Sequence, residues 1–132
     1  MIGPKVKAPT KAEERDAYEL ATLRDRDTCQ RCRTNCGPTA RDHRRNRSQG
    51  GWTVVSNLQV LGLACHQWKS EHPREAWAEG WAVPSWVHWK HWPARRTVDG
   101  REVWVLYDDE GTWEVISDTE ARQRIDDGSV PF

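Results

Sequence analysis

The pattern of apolar and polar positions near the start of the chain predicts one amphipathic helix. Thr10 can accept hydrogen bonds from the first turn, and Glu13, three residues later, completes a capping box. Apolar residues recur at helical spacing over 17–23, and the pattern fades near Asp25. Residues 1–9 contain two prolines and a glycine, so we expect a loose arm before the helix.

The following segments are shorter and predict two strands and two helices. Residues 38–43 and 58–61 suit short strands, and residues 64–71 suit a helix. A second helix is expected over 73–80, because its first residue is proline and its last is glycine.

The end of the chain predicts a β-hairpin and a last helix. Residues 101–107 and 111–117 are rich in valine, tryptophan and isoleucine, and they flank the turn sequence DDEG. A short helix is expected over about 118–126. Helices and antiparallel strands therefore occur together, which favours an α+β fold.

Composition limits the size of the core and the class of protein. The chain has 132 residues, 36% of them apolar, a mean hydropathy of −0.91, and no apolar run that could span a membrane. The N-terminus lacks the apolar stretch of a signal peptide, so a cytoplasmic location is expected. The nine tryptophans add apolar surface: those at 68, 77 and 81 are expected in the core, whereas those at 86, 89 and 92 either pack inside or stack on bases.

Charge is distributed unevenly although the net charge is zero. Residues 1–50 carry 12 basic and 7 acidic side chains, whereas residues 98–132 carry 3 and 10. The first part suits a polyanionic partner, and the last part repels one. The acidic end is either a solubilising surface or a surface for a basic partner. We divide the chain into an N-terminal arm and helix at 1–27, a central unit at 28–72 and a Trp-rich, acidic extension at 73–132.

The central unit carries groups typical of metal binding and hydrolysis, in a definite order. Any single histidine is more often a surface or packing residue than a catalyst, so only the whole set of groups indicates catalysis. In chain order the groups are Cys29-x-x-Cys32 with Cys36 after it, Asp42-His43, Gly50-Gly51, Asn57-Leu58 and Cys65-His66.

This order resembles the motif of the HNH endonuclease family, over about residues 28–72. The resemblance implies a small ββα-metal (His-Me finger) core with an N-terminal helix before it and a zinc knuckle. Two strands would carry the Asp-His pair and the asparagine, and a helix the last histidine. Residues 80–113 are similar to the C-terminal extension of HNH endonucleases from bacteriophages of actinobacteria.

The resemblance also implies a role for each motif residue in cleaving DNA to 5′-phosphate and 3′-hydroxyl ends. His43 is the general base, because a neutral imidazole can take a proton from water near neutral pH. Asp42 and His66 hold one catalytic divalent cation, Mg²⁺, Mn²⁺ or Ni²⁺. Asn57 fixes the loop that aims His43, by bonding backbone across the Gly-Gly turn. His72 is a helix cap, a further metal ligand, or neither.

Four arginines crowd the Asp-His pair, and double-stranded DNA explains them. Arg41, Arg44, Arg45 and Arg47 are predicted to contact phosphates beside the cut. Their charge is also expected to lower the pKa of His43 by repelling its proton. The alternative for each arginine is a solvated side chain.

The cysteines depart from the family pattern. The second knuckle of the family reads Cys-x-x-Cys-His, and here Gly62 stands at its first cysteine. We hypothesise that Cys36 supplies the missing ligand of a structural zinc site; the alternative is four reduced thiols without zinc. The hypothetical ligands are Cys29, Cys32, Cys36 and Cys65.

These observations lead to one main hypothesis and two alternatives. The main one is a metal-dependent HNH DNA endonuclease, encoded by a phage and acting in the host cytoplasm, in DNA packaging with terminase or in homing. The first alternative is a zinc-stabilised DNA-binding module without cleavage. The second is an adaptor whose acidic extension docks on terminase.

Overall fold

The computed structural model describes residues 7–131, and within them helices and strands are mixed. No helix in this range is long and apolar enough to cross a bilayer. The helices are α1 (Lys11–Asp25), α2 (Leu63–Glu71), α3 (Pro73–Glu79) and α4 (Asp118–Gly128). The strands are β1 (Thr39–His43), β2 (Leu58–Gly62), β3 (Ala94–Val98), β4 (Arg101–Tyr107) and β5 (Trp113–Ile116).

Helix α1 begins and ends as its sequence predicts. The hydroxyl of Thr10 accepts from the amide of Glu13 at 3.2 Å, and the Glu13 carboxylate accepts from the amide of Thr10 at 3.0 Å. Both bonds of the capping box are present, so the backbone amides of Thr10 and Glu13 each have a hydrogen-bond acceptor. Most of the loose arm predicted at 1–9 lies outside the described residues.

Strands β1 and β2 form an antiparallel pair, and α2 follows β2 without a loop. This strand–strand–helix order is the one that the family resemblance implies. In the register, Asp42 lies opposite Gln59 and His43 opposite Leu58. The order therefore brings the Asp-His pair of β1 next to the first turns of α2.

A second sheet has the order β3-β4-β5, also antiparallel. The hairpin of β4 and β5 confirms the sequence prediction, whereas β3 was not predicted. Its sequence, ARRTV, has adjacent arginines where a strand pattern needs apolar residues. Arg96 is nevertheless buried, because its charge is paired with an acid from another part of the chain.

The largest core cluster lies under this second sheet. Trp89 and Trp92 are buried in it, with 5% and 1% of their surface exposed, together with Trp104. Trp81 is buried in a smaller cluster below α3. Packing is therefore the role of Trp89 and Trp92, and stacking on bases is excluded for rings so deeply enclosed.

A buried ion-pair cluster joins α1, β2 and β3. Asp25, 1% exposed, accepts from the guanidinium groups of Arg24 and Arg96 and from the amide of Val60. Burial opposes its charged form, but the arginine hydrogen bonds and charges outweigh burial and hold the pKa of Asp25 below its ordinary value. These contacts cross the predicted boundaries at 27/28 and 72/73.

Replacing Asp25 by asparagine tests this cluster. At pH 7 we expect Asp25→Asn to lower the free energy of unfolding by about 3 kcal/mol, because two buried arginines lose their counter-charge. The contribution of Asp25 is complete above its unfolded pKa of about 4 and is lost as the pH falls through its lower folded value. Urea unfolding should therefore show that the difference in the free energy of unfolding between native protein and variant becomes smaller in acid. Asp126→Asn, at an exposed site of α4, is the control, and a gap that does not change with pH would contradict this role.

Candidate active site

The carboxylate of Asp42 is the centre of the site and is only 3% exposed. Its Oδ2 accepts from Gln59 Nε2 at 2.9 Å and lies 3.0 Å from Lys69 Nζ, while its Oδ1 lies 2.8 Å from His66 Nδ1. Burial opposes ionisation, but these partners outweigh it and lower the pKa of Asp42. Lys69 Nζ also donates to Oδ1 at 3.3 Å, so Asp42 is a carboxylate with Gln59 on one oxygen, His66 on the other and Lys69 near both.

Lys69 and Gln59 were not predicted from the sequence, although the position of each relative to a motif residue could have indicated its role. Lys69 lies three residues after His66 on α2, and residues at this spacing share a helix face. Gln59 lies opposite Asp42 across the β1–β2 pair. Neither residue belongs to the motif, so the motif alone does not identify them.

The pair Asp42 and His66 fits the donor set of a divalent cation. Hard cations favour carboxylate oxygen and accept imidazole nitrogen. Adjacent ligand atoms around an octahedral Mg²⁺ at about 2.0–2.1 Å lie about 3 Å apart, and the 2.8 Å between Oδ1 and Nδ1 is close to that spacing. The hydrogen bond to Asp42 raises the pKa of His66, so a cation binding there must displace a proton.

His43 is half-buried beside this pair, at the end of β1. Its Nε2 lies 2.8 Å from the hydroxyl of buried Thr53, and its carbonyl accepts from Lys69 Nζ at 2.8 Å. Tyr18 of α1 packs against the ring edge to face. When Nε2–H donates to the Thr53 hydroxyl, Nδ1 is unprotonated and is the ring atom that can accept a proton.

The pKa of His43 is lowered, but the cause differs from the one predicted. Burial is the largest factor; Asp42 opposes the shift, and Arg47 and Lys69 add to it. The repulsion predicted from the run of arginines therefore comes from one of them, Arg47, and only as a minor contribution. The consequence is the expected one, because His43 is neutral at pH 7 and free to act as a base.

Asn57 is fully buried and bridges the loop that follows β1. Its Nδ2 donates to the carbonyls of Arg45 and Trp52, at 3.0 and 2.9 Å, and its Oδ1 accepts from the amide of Arg45. A Cβ on Gly51 would lie 1.8 Å from the carbonyl oxygen of Arg45, and Gly50 has φ +84°. The amide of Asn57 thus closes a loop so tight that only glycines fit at its turn.

The structure separates the four arginines into two kinds. Arg44 is 1% exposed, and its guanidinium donates to the carbonyls of Ser56, Trp89 and Trp92. The prediction that Arg44 contacts DNA is wrong, because the group is enclosed and ties the extension to the centre of the molecule; burial lowers its pKa to about 10. Exposed Arg41 and Arg47, and half-buried Arg45, remain able to reach a phosphate.

The four cysteines form a compact cluster of sulfur atoms. All four Sγ atoms lie within 4.8 Å of one another, and those of Cys36 and Cys65 are 3.8 Å apart. Four sulfurs bound tetrahedrally at about 2.3 Å would be about 3.8 Å apart. The geometry is therefore compatible with zinc.

The environment of the cluster favours one thiolate before the others. Burial opposes ionisation of Cys32, but the amide and hydroxyl of Thr34 donate to its sulfur and lower its pKa to about 6. Burial raises the pKa of Cys65 to about 12. Four thiols so close together can ionise jointly only beside a cation.

Cys36 takes the place of a side chain at residue 62. A Cβ built on Gly62 would lie 2.3 Å from the Cys36 sulfur. The sulfur of Cys36 thus fills the space that a cysteine at 62 would use, which explains how a chain with Gly62 still gathers four sulfurs. His72 is not part of the cluster: it links α2 to α3, its ring stacks on Trp68, and its Nδ1 lies 3.0 Å from the Trp68 carbonyl.

The buried pair of Lys69 and Asp42 gives a testable consequence. Lys69→Met leaves a buried carboxylate with less compensation, and we expect a loss of about 3–5 kcal/mol in the free energy of unfolding. Asp42→Asn combined with Lys69→Met should recover part of that loss, because no buried charge then lacks its partner. Lys90→Met, which breaks an exposed ion pair, is the control and should cost under about 1 kcal/mol. Additive losses in the double variant would contradict the coupling.

One protein-family model matches the part of the chain that forms this site. Residues 29–72, a third of the chain, match the family model for HNH endonucleases. Neither curated proteins nor solved structures gave a match. The matched segment contains β1, the Asn57 loop, β2 and α2. The match indicates a nuclease-type function and implies DNA as the substrate.

Proposed function

We propose that this protein is a metal-dependent HNH endonuclease with a ββα-metal core, which hydrolyses DNA to 5′-phosphate and 3′-hydroxyl ends. One observation carries the proposal. Strand β1, the loop after it and helix α2 bring Asp42, His43, Asn57 and His66 to one place. A protein that only binds DNA does not need a half-buried neutral imidazole beside a carboxylate–histidine pair.

Each residue has a step that its contacts support. In the tautomer whose Nε2–H donates to the Thr53 hydroxyl, His43 Nδ1 is unprotonated and takes a proton from water, and the same bond keeps the ring oriented. Asn57 holds the loop, and Lys69 holds the carbonyl of His43, so both are positioning residues. Asp42 and His66 would hold a divalent cation, which when bound supplies electrostatic stabilisation of the developing charge and of the leaving 3′ oxygen.

Contact with double-stranded DNA rests on three arginines near this site. Arg41, Arg45 and Arg47 can neutralise phosphates on either side of the cut, which gives salt-dependent binding with little reading of base sequence. Arg47 makes only a weak ion pair with Glu14 at 3.8 Å, so its charge is available.

A structural zinc ion on Cys29, Cys32, Cys36 and Cys65 belongs to the same proposal. The cluster ties the segment before β1 to the first turn of α2, so an ion there would fix the two elements that carry Asp42 and His66. We further propose a phage-encoded role in DNA packaging, with terminase as a partner, or in homing. This last part is supported by the resemblance of residues 80–113 to phage HNH endonucleases.

Supercoiled-plasmid cleavage tests the catalytic assignment. We expect nicking or linearisation with Mg²⁺, Mn²⁺ or Ni²⁺, none with EDTA, and a loss of about 10²–10⁴-fold in rate for His43→Ala. His91→Ala, at an exposed site, should cut normally. If native protein and His43→Ala bind DNA equally and neither cuts it with any metal, the DNA-binding or terminase-adaptor reading replaces the nuclease.

The zinc assignment is tested by exchanging the cysteine between positions 36 and 62. Elemental analysis of protein purified without chelators should find about one zinc per chain. Cys36→Ser should lose most of it, and Cys36→Ala combined with Gly62→Cys should regain it, because the two positions share one space. Zinc-free native protein, or full zinc in Cys36→Ser, would contradict the site.

A further inference from the structure

A cavity of about 390 Å³ lies where the end of α1, the cysteine-rich loop and the β3–β4 turn meet. It shares no residue with the candidate active site. Its wall is rich in arginine, and Trp113 closes one side. The residues that matter here are Arg24, Arg26, Arg33, Arg96, Asp25 and Asp99.

The backbone at this cavity is unusual. Four non-glycine residues in the described part of the chain have positive φ, and three of them line the cavity: Arg26 (+55°), Arg33 (+60°) and Asp99 (+50°). Asp99 is explained by the tight hairpin turn it forms with Gly100. Arg26 ends α1 and Arg33 follows the first two cysteines, where glycine would relieve the conformation. Each of these two arginine side chains is therefore carried by a backbone conformation that is less favourable than it would be for glycine.

The charges around the cavity are not balanced. Arg24 and Arg96 share Asp25, but the Nε of Arg96 is buried without a hydrogen-bond partner, and the residue is only 6% exposed. The side chains of Arg26 and Arg33 make no hydrogen bond or ion pair within residues 7–131. Arg24 also donates to the carbonyls of Val55 and Leu58, and Arg96 to the carbonyl of Arg24. The excess of positive charge and of N–H donors at the cavity therefore comes from Arg26, Arg33 and the Nε of Arg96.

We propose that this cavity binds a phosphate group. Guanidinium groups match phosphate oxygens in geometry and charge, and several around one hollow select an anion with several acceptor oxygens. Arg96 lies 4.0 Å above the ring of Trp113, which holds one wall in place. The phosphate comes either from the backbone of DNA, away from the cut, or from free phosphate; the DNA source rests on the proposed nuclease function, and the free-phosphate source does not.

The test uses the full chain and the variant Arg26→Gly with Arg33→Gly. Thermal unfolding is followed in sodium phosphate and in sodium chloride of equal ionic strength. Native protein should have a higher Tm in phosphate, because a bound ligand stabilises the folded state. The double variant should lose this phosphate-induced rise while its own Tm increases by a few degrees, since glycine relieves both positive φ angles. A variant that is merely damaged would show a lower Tm.

The control variant, Arg15→Ala with Arg74→Ala, removes the same charge at exposed sites of α1 and α3. It should keep the phosphate-induced rise. The DNA source is measured by anisotropy of a labelled duplex in the His43→Ala background without divalent cation. If the cavity holds DNA phosphates, Arg26→Gly with Arg33→Gly lowers the slope of log affinity against log salt by up to about 2, at about 0.9 per lost phosphate contact.

The outcomes separate the sources. Loss of the phosphate-induced rise with an unchanged salt slope assigns the cavity to free phosphate, whereas a reduced slope assigns it to DNA. A native protein that shows no phosphate-induced rise and no change of slope in the variant overturns the proposal. A double variant that keeps the full phosphate-induced rise and the full slope does the same. Because neither readout involves cleavage, failure of the nuclease assay leaves this test unaffected.

Discussion

The buried carboxylate of Asp25 is the interaction on which the assembly of the chain depends. It accepts from α1, from the backbone of β2 and from Arg96 on β3, so three separated parts of the sequence meet at one side chain. A chain with 36% apolar residues has limited hydrophobic surface to bury. Paired charges therefore connect the clusters of tryptophan and aliphatic side chains, and this explains why a strand with two adjacent arginines has a place in the interior.

Asp42 is a second buried carboxylate that is paired with basic side chains, and it lies in the candidate active site. It too is buried and paired, with Lys69 near both oxygens and His66 on one of them. Buried charge of this kind is weak evidence for stability but fixes a unique arrangement, because any displacement leaves a charge without compensation. The carboxylate is thus already oriented for the divalent cation that we propose. In the same way, Asn57 fixes the loop and Thr53 fixes the imidazole, so the proposed reaction would need little rearrangement of the site.

Much of the fold followed from the sequence, and the failures share one cause. The ends of α1, the two strands β1 and β2, α2 and the β4–β5 hairpin were predicted from capping, periodicity and turn residues, all of which act locally. Strand β3, buried Arg44 and the role of Lys69 were not. Each depends on a partner far along the chain, such as the carbonyls of Trp89 and Trp92 for Arg44. A charged residue reads as exposed until such a partner is known.

The cluster of cysteines also depends on residues that are far apart along the chain. Because the sulfur of Cys36 occupies the space of a side chain at 62, the two positions exclude each other: a chain cannot place cysteine at both without moving its backbone. The fourth sulfur is consequently defined by a point in space that two different stretches of chain can reach. Fixed intervals between cysteines along the chain therefore do not describe this four-sulfur cluster, whereas the positions of the sulfur atoms in space do.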